Sequence, residues 1–412
     1  MYECYKQHLS ALHDTGKYRR LGSLDQDNSK DFLDFSTNDY LALSQNSQVI
    51  ESAIAASRAH GVGATGSRLL SGNTILHEAL EASIAQDKHT EASLIFSSGF
   101  QANLSTLSSL LDAQILKTKP IVFFDKLNHA SLYQAVFLSK PTLCRYHHND
   151  MNHLESLLAI YEHDPRPKFL VTETVFGMDG DILPLESITI LAKRYKAFLY
   201  LDEAHATGVL GPNGYGLSTS VKLTEIPHLV MGTFSKALGG SGGYVACHRV
   251  IRDFLVNKAS GFIYSTAPSP AIIGAAFKAW QMVRDLNAER KKLQDLGKIL
   301  REKLKTIGFD IGHSTTHIVP IILGPENACL KAKEKLLAHN ILVSAVRPPT
   351  VPPNASRLRM ALTAHHELQD VERLVEILKK TVYPKQSGFQ GGPSDRNVLP
   401  VRWGSWVDAQ RT

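Results

Sequence analysis

The chain has 412 residues, of which 43% are hydrophobic and 20% charged, and its formal net charge is +6. A chain of this length and apolar content can bury a substantial core in more than one lobe, as an ordinary soluble enzyme does. The positive charge is modest and forms no long block of one sign. It favours attraction of anionic thioesters or phosphates and argues against nucleic acid as a partner.

The cysteines are widely separated, at Cys4, Cys144, Cys247 and Cys329. This spacing argues against a zinc ribbon or a disulfide framework and fits a reducing compartment. The adjacent His147 and His148 have no further ligand at metal spacing, so we interpret them as surface residues and expect no metal. The N-terminus lacks the apolar core of a signal peptide, and no apolar run is long enough to cross a membrane. We expect a cytoplasmic protein without a membrane partner.

The N-terminal segment, residues 1–45, is predicted to begin with an amphipathic helix that includes Leu9 and Leu12. Arg19 follows that helix, and the residues alone favour a solvated helix end for it. Residues 34–41 alternate apolar and polar side chains and end in Asx-type turn chemistry, with Asn38 in the turn.

A glycine-rich run at residues 61–66 fits the dinucleotide pattern G-x-G-x-x-G. That motif holds a pyrophosphate only between a strand and a helix, whereas residues 49–58 before it read as a helix. We therefore reject a nicotinamide site and expect a mobile loop near a cleft or at a subunit contact.

A strand is predicted at residues 92–96, followed by a turn of small residues and a helix rich in Leu and Ser. Free backbone N–H groups and the helix dipole make such a helix N-terminus an anion site. We place a cofactor phosphate here, with Gly99 and Phe100 at the turn. The alternative is an ordinary strand-to-helix connection, which would be favoured without the lysine and aspartate described below.

Two more buried strands are predicted at residues 121–125 and 169–174. His129 follows the first of them, and a lone histidine in that position is more often a helix cap than a catalyst. Gly177 follows the second strand.

The next predicted strand, residues 197–201, ends at Asp202. The carboxyl ends of parallel strands are where α/β proteins bind ligands. Residues 202–205 also spell the Asp-Glu-Ala-His box of one class of helicases. That interpretation requires an upstream phosphate loop G-x-x-x-x-G-K-[ST], which the sequence lacks.

Lys236 lies just beyond another apolar strand, residues 229–231, and small residues and glycines follow it. Burial disfavours its ammonium form, and a neutral lysine amine forms a Schiff base with a carbonyl substrate or with pyridoxal phosphate (PLP). That cofactor needs a carboxylate opposite its pyridine nitrogen, which Asp202 is placed to supply 34 residues earlier. His205 suits a hydrogen bond to the ring's phenolic oxygen, and the Thr233 hydroxyl can reach the phosphate. Lys236 alone would be as well explained by a mobile glycine loop.

The C-terminal part reads as a long helix from Ser269 and then a smaller α+β domain. Strands are predicted at residues 318–323, 341–346 and 358–362. Arg357 and Arg359 lie two residues apart on a strand and so share a face, where a guanidinium group can hold a substrate carboxylate. Two solvated arginines on an exposed face are the alternative.

Three segments together resemble the α-oxoamine synthases, a family of PLP enzymes: residues 202–211 (DEAHATGVLG), 233–236 (TFSK) and 263–266 (IYST). Residues 347–352 (RPPTVP) and 357–359 (RLR) are most similar to the members of that family that act in biotin synthesis. The resemblance extends from about Arg19 to about Val382.

The resemblance implies an α/β fold of the aspartate-aminotransferase type, with a large, mostly parallel sheet of seven strands flanked by helices. It implies four parts: an N-terminal segment, residues 1–45, packed with the small domain; a PLP-binding domain, 46–285; a small α+β domain, 286–383; and a tail, 384–412. The tail has the composition of a linker and lies outside the resemblance.

The resemblance also implies roles for residues around the cofactor. It matches His129 to a side chain over one face of the PLP ring, and Ser265 and Thr266 to a segment that reaches the phosphate of a second subunit. A homodimer is therefore implied. Relatives tend to have serine where Gly177 stands, so only the backbone there can contact the cofactor.

For the substrates, the resemblance matches Asn38 and Arg359 to the amino acid site, and Arg19 and Thr350 to the acyl end. The implied reaction condenses L-alanine with pimeloyl-CoA or a pimeloyl-acyl-carrier protein, with Lys236 as general base. Three alternatives stay open: another α-oxoamine synthase that uses glycine, an aminotransferase of the same fold, and a binding protein without catalysis.

Overall fold

The computed structural model describes residues 1–19, 21 and 32–382. The tail, residues 384–412, lies outside this described part. In the described residues, no helix is both long enough and apolar enough to span a membrane.

Short strands, most of them five to seven residues long, alternate with helices along the chain. The strands are β1 (Leu33–Asp34), β2 (Ala92–Phe96), β3 (Ile121–Asp125), β4 (Thr142–Tyr146), β5 (Lys168–Glu173), β6 (Phe198–Asp202), β7 (His228–Thr233), β8 (Gly243–Cys247), β9 (Ile318–Gly324), β10 (Ile341–Leu342), β11 (Ser344–Val346) and β12 (Ser356–Ala361).

The helices begin at polar caps in several places, because a side-chain oxygen or imidazole nitrogen accepts from a first-turn N–H. They are α1 (Tyr2–Asp14), α2 (Ser47–His60), α3 (Ile75–Asp87), α4 (Gly99–Leu110), α5 (Ala130–Ser139), α6 (Met151–Ile160), α7 (Leu185–Arg194), α8 (Arg249–Lys258), α9 (Ser260–Ile263), α10 (Pro270–Val283), α11 (Asn287–Thr306), α12 (Glu326–Leu337) and α13 (Leu368–Thr381).

Seven strands form one sheet in the order β2-β8-β7-β6-β5-β3-β4. All neighbours are parallel except β8, which runs antiparallel to β2 and β7. Helices cover both faces, so alternate residues of β3 enter two different apolar clusters. The strands other than the edge strand β4 are therefore buried along nearly their whole length rather than at alternate residues. The predicted large, mostly parallel sheet of the α/β fold is confirmed.

A second, antiparallel sheet has the order β11-β12-β9 and packs with α11, α12 and α13. The single strand predicted at residues 341–346 is wrong in one respect, because Val343 interrupts it. Before Val343 the chain pairs with β1, where Leu33 lies opposite Ile341; after it the chain pairs with β12. The proposed domain boundaries stay a prediction.

A buried ion pair accounts for the residue next to Asp202. The Lys88 ammonium lies 2.5 Å from a Glu203 carboxylate oxygen, and neither side chain is exposed. Glu203 also accepts from the backbone N–H and the hydroxyl of Ser218. A buried charge is tolerated when its partners are complete, as they are here. Glu203 therefore anchors the loop that follows β6.

His148 is not the surface residue that the sequence predicted. Its ring nitrogens lie 2.9 Å from an Asp125 carboxylate oxygen and 2.7 Å from one of Asp181. Burial alone would lower the pKa of His148, but the hydrogen bonds to both carboxylates outweigh it and raise the pKa to about 10. The charged ring ties the end of β3 to the segment after β5, against the edge of Phe176.

We expect His148→Gln to lower the free energy of unfolding by about 3 kcal/mol at pH 6, because two carboxylates are left facing each other. The folded pKa of His148 lies above its unfolded value. The stabilisation is therefore fully present below about pH 6.5 and is lost as the pH rises through about 10. Urea unfolding of both proteins at pH 6, 8 and 10 measures the difference.

The matched control is His163→Gln, since His163 is exposed. A His148→Gln deficit that stays constant from pH 6 to pH 10, or that equals the control's, would contradict the charged triad.

Candidate active site

The parallel register brings two acidic residues together at one edge of the large sheet. Glu173 at the end of β5 lies opposite Asp202 at the end of β6, and Asp202 lies opposite Met231 of β7. Because these strand ends share an edge, Lys236, five residues after Met231, emerges beside both carboxyls.

Asp202 is buried and held on both oxygens. One oxygen accepts from the Asn103 amide at 2.7 Å, and the other accepts from the backbone N–H of Ala204 at 2.9 Å. The Asn103 amide also donates to the Ser131 hydroxyl, which lies 2.7 Å from Nδ1 of His129. The carboxylate and the histidine are thus linked through α4 and α5.

The Lys236 amine is partly buried, and its Nζ lies 2.8 Å from Nε2 of His205. Burial lowers the pKa of Lys236 to about 8, against the opposing effect of the Asp202 and Glu173 carboxylates and with a further lowering from Arg359. Burial and the neighbouring Asp202 raise the pKa of Glu173 well above its usual range. The site therefore holds an amine that loses its proton close to neutral pH.

A chain of hydrogen bonds leads from Lys236 to Arg359. Nδ1 of His205 lies 2.7 Å from the Tyr40 hydroxyl, which lies 3.0 Å from the Asn38 side-chain oxygen. The Arg359 guanidinium donates to both, at 3.2 Å to Tyr40 and 3.0 Å to Asn38. Residues from the segments that follow β1, β6 and β7 thus meet a residue of β12.

Arg359 and Arg357 are both buried, so the alternative of solvated arginines is excluded. Nε of Arg359 donates to the Gly177 carbonyl at 2.5 Å, and Arg357 forms an ion pair with Asp179. Each arginine therefore contacts the segment after β5, and Arg359 alone joins the Lys236 cluster.

Gly177 leaves room for His205. A Cβ at Gly177 would lie 2.2 Å from Nε2 of His205 and 2.8 Å from its Cδ2, far inside van der Waals contact. Any side chain at position 177 must therefore displace the imidazole. The Cβ of a serine at this position would meet the His205 ring, a steric effect that the sequence did not show.

The predicted anion site lies beside the lysine loop. Ser98 caps α4, and the N–H groups of Gly99 and Phe100 have no acceptor within the helix. A Cβ on Gly99 would lie 3.4 Å from Cβ of Thr233, so the two predicted residues are adjacent. The Thr233 hydroxyl contacts Ser235 at 2.8 Å and donates to the Gly242 carbonyl.

His129 both caps α5 and is exposed at the site. Its Nδ1 accepts from the backbone N–H of Ser131, and its ring lies edge-on to Phe100 with centroids 6.3 Å apart. The helix-cap alternative is therefore correct, and it leaves the rest of the ring open to a ligand.

Two further pairs of predicted residues lie outside the Lys236 cluster. Arg19 donates to the Thr350 hydroxyl at 3.2 Å, so the two residues matched to the acyl end are in contact. Ser265 and Thr266 lie at the surface near the turn before α4, where Ser97 donates to the Thr266 carbonyl. No hydrogen bond among the described residues joins either pair to Lys236.

Sequence reasoning missed four buried polar residues of the site: Tyr40, Asn103, Glu173 and His317. Tyr40 belongs to the turn that contains Asn38, and Glu173 precedes the Gly177 segment, so proximity along the chain was a signal for these two. Asn103 and His317 lie on a helix and at a strand start with no local pattern. Among the described residues, no group of three His, Cys, Asp or Glu side chains is placed to hold a metal ion.

Residues 30–378 match the aminotransferase class I and II family. The chain is 44% identical over 349 residues to the 8-amino-7-oxononanoate synthase of Gluconacetobacter diazotrophicus, covering 84% of this chain and 87% of that protein.

Solved structures with this fold include the serine palmitoyltransferase of Sphingomonas wittichii, with a TM-score of 0.80 and 27% identity over 85% of this chain and 87% of that one. The 8-amino-7-oxononanoate synthase of Francisella tularensis has a TM-score of 0.73 and 30% identity over 86% of this chain and 98% of that one. The chain therefore belongs to the aminotransferase class I and II family and, within it, to the α-oxoamine synthases, which are PLP-dependent acyltransferases.

Proposed function

We propose that this protein is an 8-amino-7-oxononanoate synthase. It would condense L-alanine with a pimeloyl thioester, carried by CoA or by a carrier protein, and release carbon dioxide and free thiol in biotin biosynthesis. The observation that carries the proposal is the unbroken chain of contacts from Lys236 through His205 and Tyr40 to Arg359. It joins an amine that acts as a base to a guanidinium that binds a carboxylate.

The residues of the site fit pyridoxal phosphate. Lys236 would hold the aldehyde end, Asp202 the ring nitrogen, His129 one ring face, and the N-terminus of α4 with Thr233 the phosphate. An amine, a fixed carboxylate and an anion site are the three contacts that such a molecule needs. When bound, the cofactor supplies an electron-withdrawing ring that stabilises negative charge at the amino acid's α-carbon.

Asp202 is proposed to accept a hydrogen bond from the ring nitrogen. Two N–H donors, from the Asn103 amide and the backbone of Ala204, hold its carboxyl group in a fixed position for that contact. Burial, with the neighbouring Asp202, raises the pKa of Glu173 beside it well above its usual range. Of these two neighbouring carboxyl groups, Asp202 is the one proposed to contact the ring nitrogen.

Arg359 is placed to bind the carboxylate of L-alanine. Its Nε donates to the Gly177 carbonyl, and its NH2 group donates to Asn38 and Tyr40, so the guanidinium plane is held fixed. The NH1 group remains to donate to an oxygen of the substrate carboxylate. A fixed arginine orients the α-carbon for the base.

Lys236 is the base that takes the α-proton of L-alanine at Nζ and returns a proton later. A pKa of about 8 serves both directions near neutral pH, because catalytic acids and bases work best when their pKa lies close to the operating pH. His205 contacts the same Nζ and is kept neutral, because burial and the nearby charges of Lys236 and Arg359 hold its pKa well below the usual value.

The acyl chain is proposed to end near the contact between Arg19 and Thr350. Arg347 lies close by, since its guanidinium donates to the Gly16 carbonyl. Two guanidinium groups on this surface suit the terminal carboxylate of a pimeloyl chain, which an acetyl group lacks. This contact is what favours pimeloyl over shorter acyl groups.

We also propose a homodimer whose sites take residues from both subunits. Large apolar side chains in and near the glycine-rich run at residues 61–66 are strongly exposed, with Val62 at 82%, Leu70 at 85% and Tyr264 at 85%. Ser67 forms an isolated bridge to Thr266, so the glycine loop and the 264–266 segment share one surface. Exposed apolar patches of this kind mark protein interfaces.

The proposed reaction predicts one product. Protein loaded with PLP and given L-alanine with pimeloyl-CoA or pimeloyl-carrier protein is expected to form 8-amino-7-oxononanoate and free thiol, identified by mass and by thiol release. The Lys236→Ala protein, with the base removed, should lose activity by about 10³-fold or more. A preference for glycine or serine with another thioester would overturn the substrate assignment, and keto acid without thiol release would indicate an aminotransferase.

The Gly177 contact predicts a loss of activity without a loss of folding. Gly177→Ala is expected to displace His205 and lower kcat by about 10-fold to 100-fold, because small misplacements of catalytic groups are costly. A double-mutant cycle supplies the control, since His205→Ala removes the ring that the new methyl would strike. If Gly177→Ala costs as much in the His205→Ala background as in the native one, the steric explanation is wrong.

The shared site predicts complementation between two inactive proteins. Lys236→Ala and the double variant Ser265→Ala, Thr266→Val are each expected to be impaired as homodimers. Heterodimers isolated through two affinity tags should regain one intact site out of two. Each site takes Lys236 from one subunit and residues 265–266 from the other, so in the heterodimer both substitutions fall in one site and the second site has neither. Heterodimers no more active than their parents, or a monomer by light scattering, would contradict the shared site.

A further inference from the structure

We propose that Tyr40 is a positioning residue that decides which ring nitrogen of His205 carries the proton, and thereby keeps the Lys236 amine uncharged beside Arg359. The inference deepens the proposed function, because it rests on Lys236 acting as the base. Tyr40 would not touch the reacting atoms; it would act through His205.

Tyr40 is held rigidly enough for this role. It is fully buried in the turn after β1, its N–H donates to the Asn38 carbonyl, and its own carbonyl accepts from Ala364. The edge of its ring packs against the buried His317, with centroids 4.1 Å apart. The hydroxyl is therefore fixed between Arg359 and His205.

The Tyr40 hydroxyl has a single proton, which limits the directions of its hydrogen bonds. The oxygen accepts from Arg359, and the single hydroxyl proton has two candidate acceptors, Asn38 and His205. The Asn38 oxygen already accepts from Arg359 at 3.0 Å, whereas Nδ1 of His205 is the shorter contact at 2.7 Å. A guanidinium donating to the oxygen also makes the hydroxyl a stronger donor. The proton therefore points to Nδ1.

The tautomer of His205 follows from that assignment. A neutral imidazole carries one proton, so when Nδ1 accepts from Tyr40 the proton lies on Nε2. Nε2 then donates to Nζ of Lys236 at 2.8 Å. Only an uncharged amine has a lone pair to accept this bond, because an ammonium group has donors alone. The tautomer thus favours the uncharged amine.

The other charged and titratable groups around Lys236 do not supply this effect. Asp202 and Glu173 from the adjacent strand ends favour the charged amine, while Arg359 from β12 opposes it. His129 is linked by hydrogen bonds to Asp202, through Ser131 and Asn103. His205 is the group in direct contact with Nζ, and Tyr40 is what orients it.

The tautomer can be read in the native protein without a variant. In protein labelled with ¹⁵N in its histidine rings, the nitrogen shifts of His205, assigned by comparison with His205→Gln, distinguish the two neutral forms. We expect the proton on Nε2. A proton on Nδ1 would overturn the proposal, whatever the activity.

The second measurement is the protonation of Lys236 itself. In cofactor-free protein, the pH dependence of the acetylation rate of Lys236, followed by peptide mass, gives the midpoint of its titration. Tyr40→Phe leaves His205 free to take the other tautomer, so the midpoint of the Lys236 titration should rise by about one pH unit. At a pH below the midpoint, Lys236 should then be acetylated about tenfold more slowly than in the native protein. Tyr215→Phe, a buried tyrosine beside Trp280, is the matched control and should leave the midpoint unchanged.

The two proposals fail separately. If native protein makes 8-amino-7-oxononanoate but Tyr40→Phe leaves the midpoint in place, the role of Tyr40 is wrong and the function stands. If the midpoint moves but no such product forms, the substrate assignment is wrong and the role of Tyr40 stands. Should Tyr40→Phe not fold, the labelled native protein still decides the tautomer.

Discussion

The alignment of three strand ends is the constraint on which the site depends. Parallel pairing of β5, β6 and β7 fixes Glu173, Asp202 and the loop of Lys236 at one edge of the sheet. The burial of that edge then shifts the pKa values, lowering that of Lys236 and raising that of Glu173. A slip of one residue in either pairing would turn these side chains to the opposite face. The positions of these side chains, and the pKa shifts that follow from them, therefore depend on the register of the sheet.

The second layer of the site is made by elements that are distant in the chain. Tyr40 comes from the turn after β1, Asn103 from α4 and Arg359 from the antiparallel sheet. Each contacts a residue at the strand ends, and each is held by further hydrogen bonds of its own. Such support keeps catalytic groups in their productive geometry. The candidate site therefore combines residues from segments that are spread over most of the described chain.

Local sequence pattern predicted the strand ends that carry several of the candidate site residues. Lys236 and Asp202 each follow an apolar strand, and Gly99 begins a helix after one, so strand ends were enough to place them. Asn103 gave no such signal, because a polar residue in a Leu-rich helix is indistinguishable from an exposed one until packing is known. His148 was misjudged for the same reason: its partners, Asp125 and Asp181, lie 23 and 33 residues away.

Two arginines of β12, Arg357 and Arg359, both contact the segment that follows β5. Arg359 contacts the Gly177 carbonyl and Arg357 pairs with Asp179, so the segment after β5 is fastened to the antiparallel sheet at two points. The two regions consequently form a matched set. A chimera that takes its C-terminal third from another relative would have to import residues 175–182 along with it, or lose the seat of both guanidinium groups.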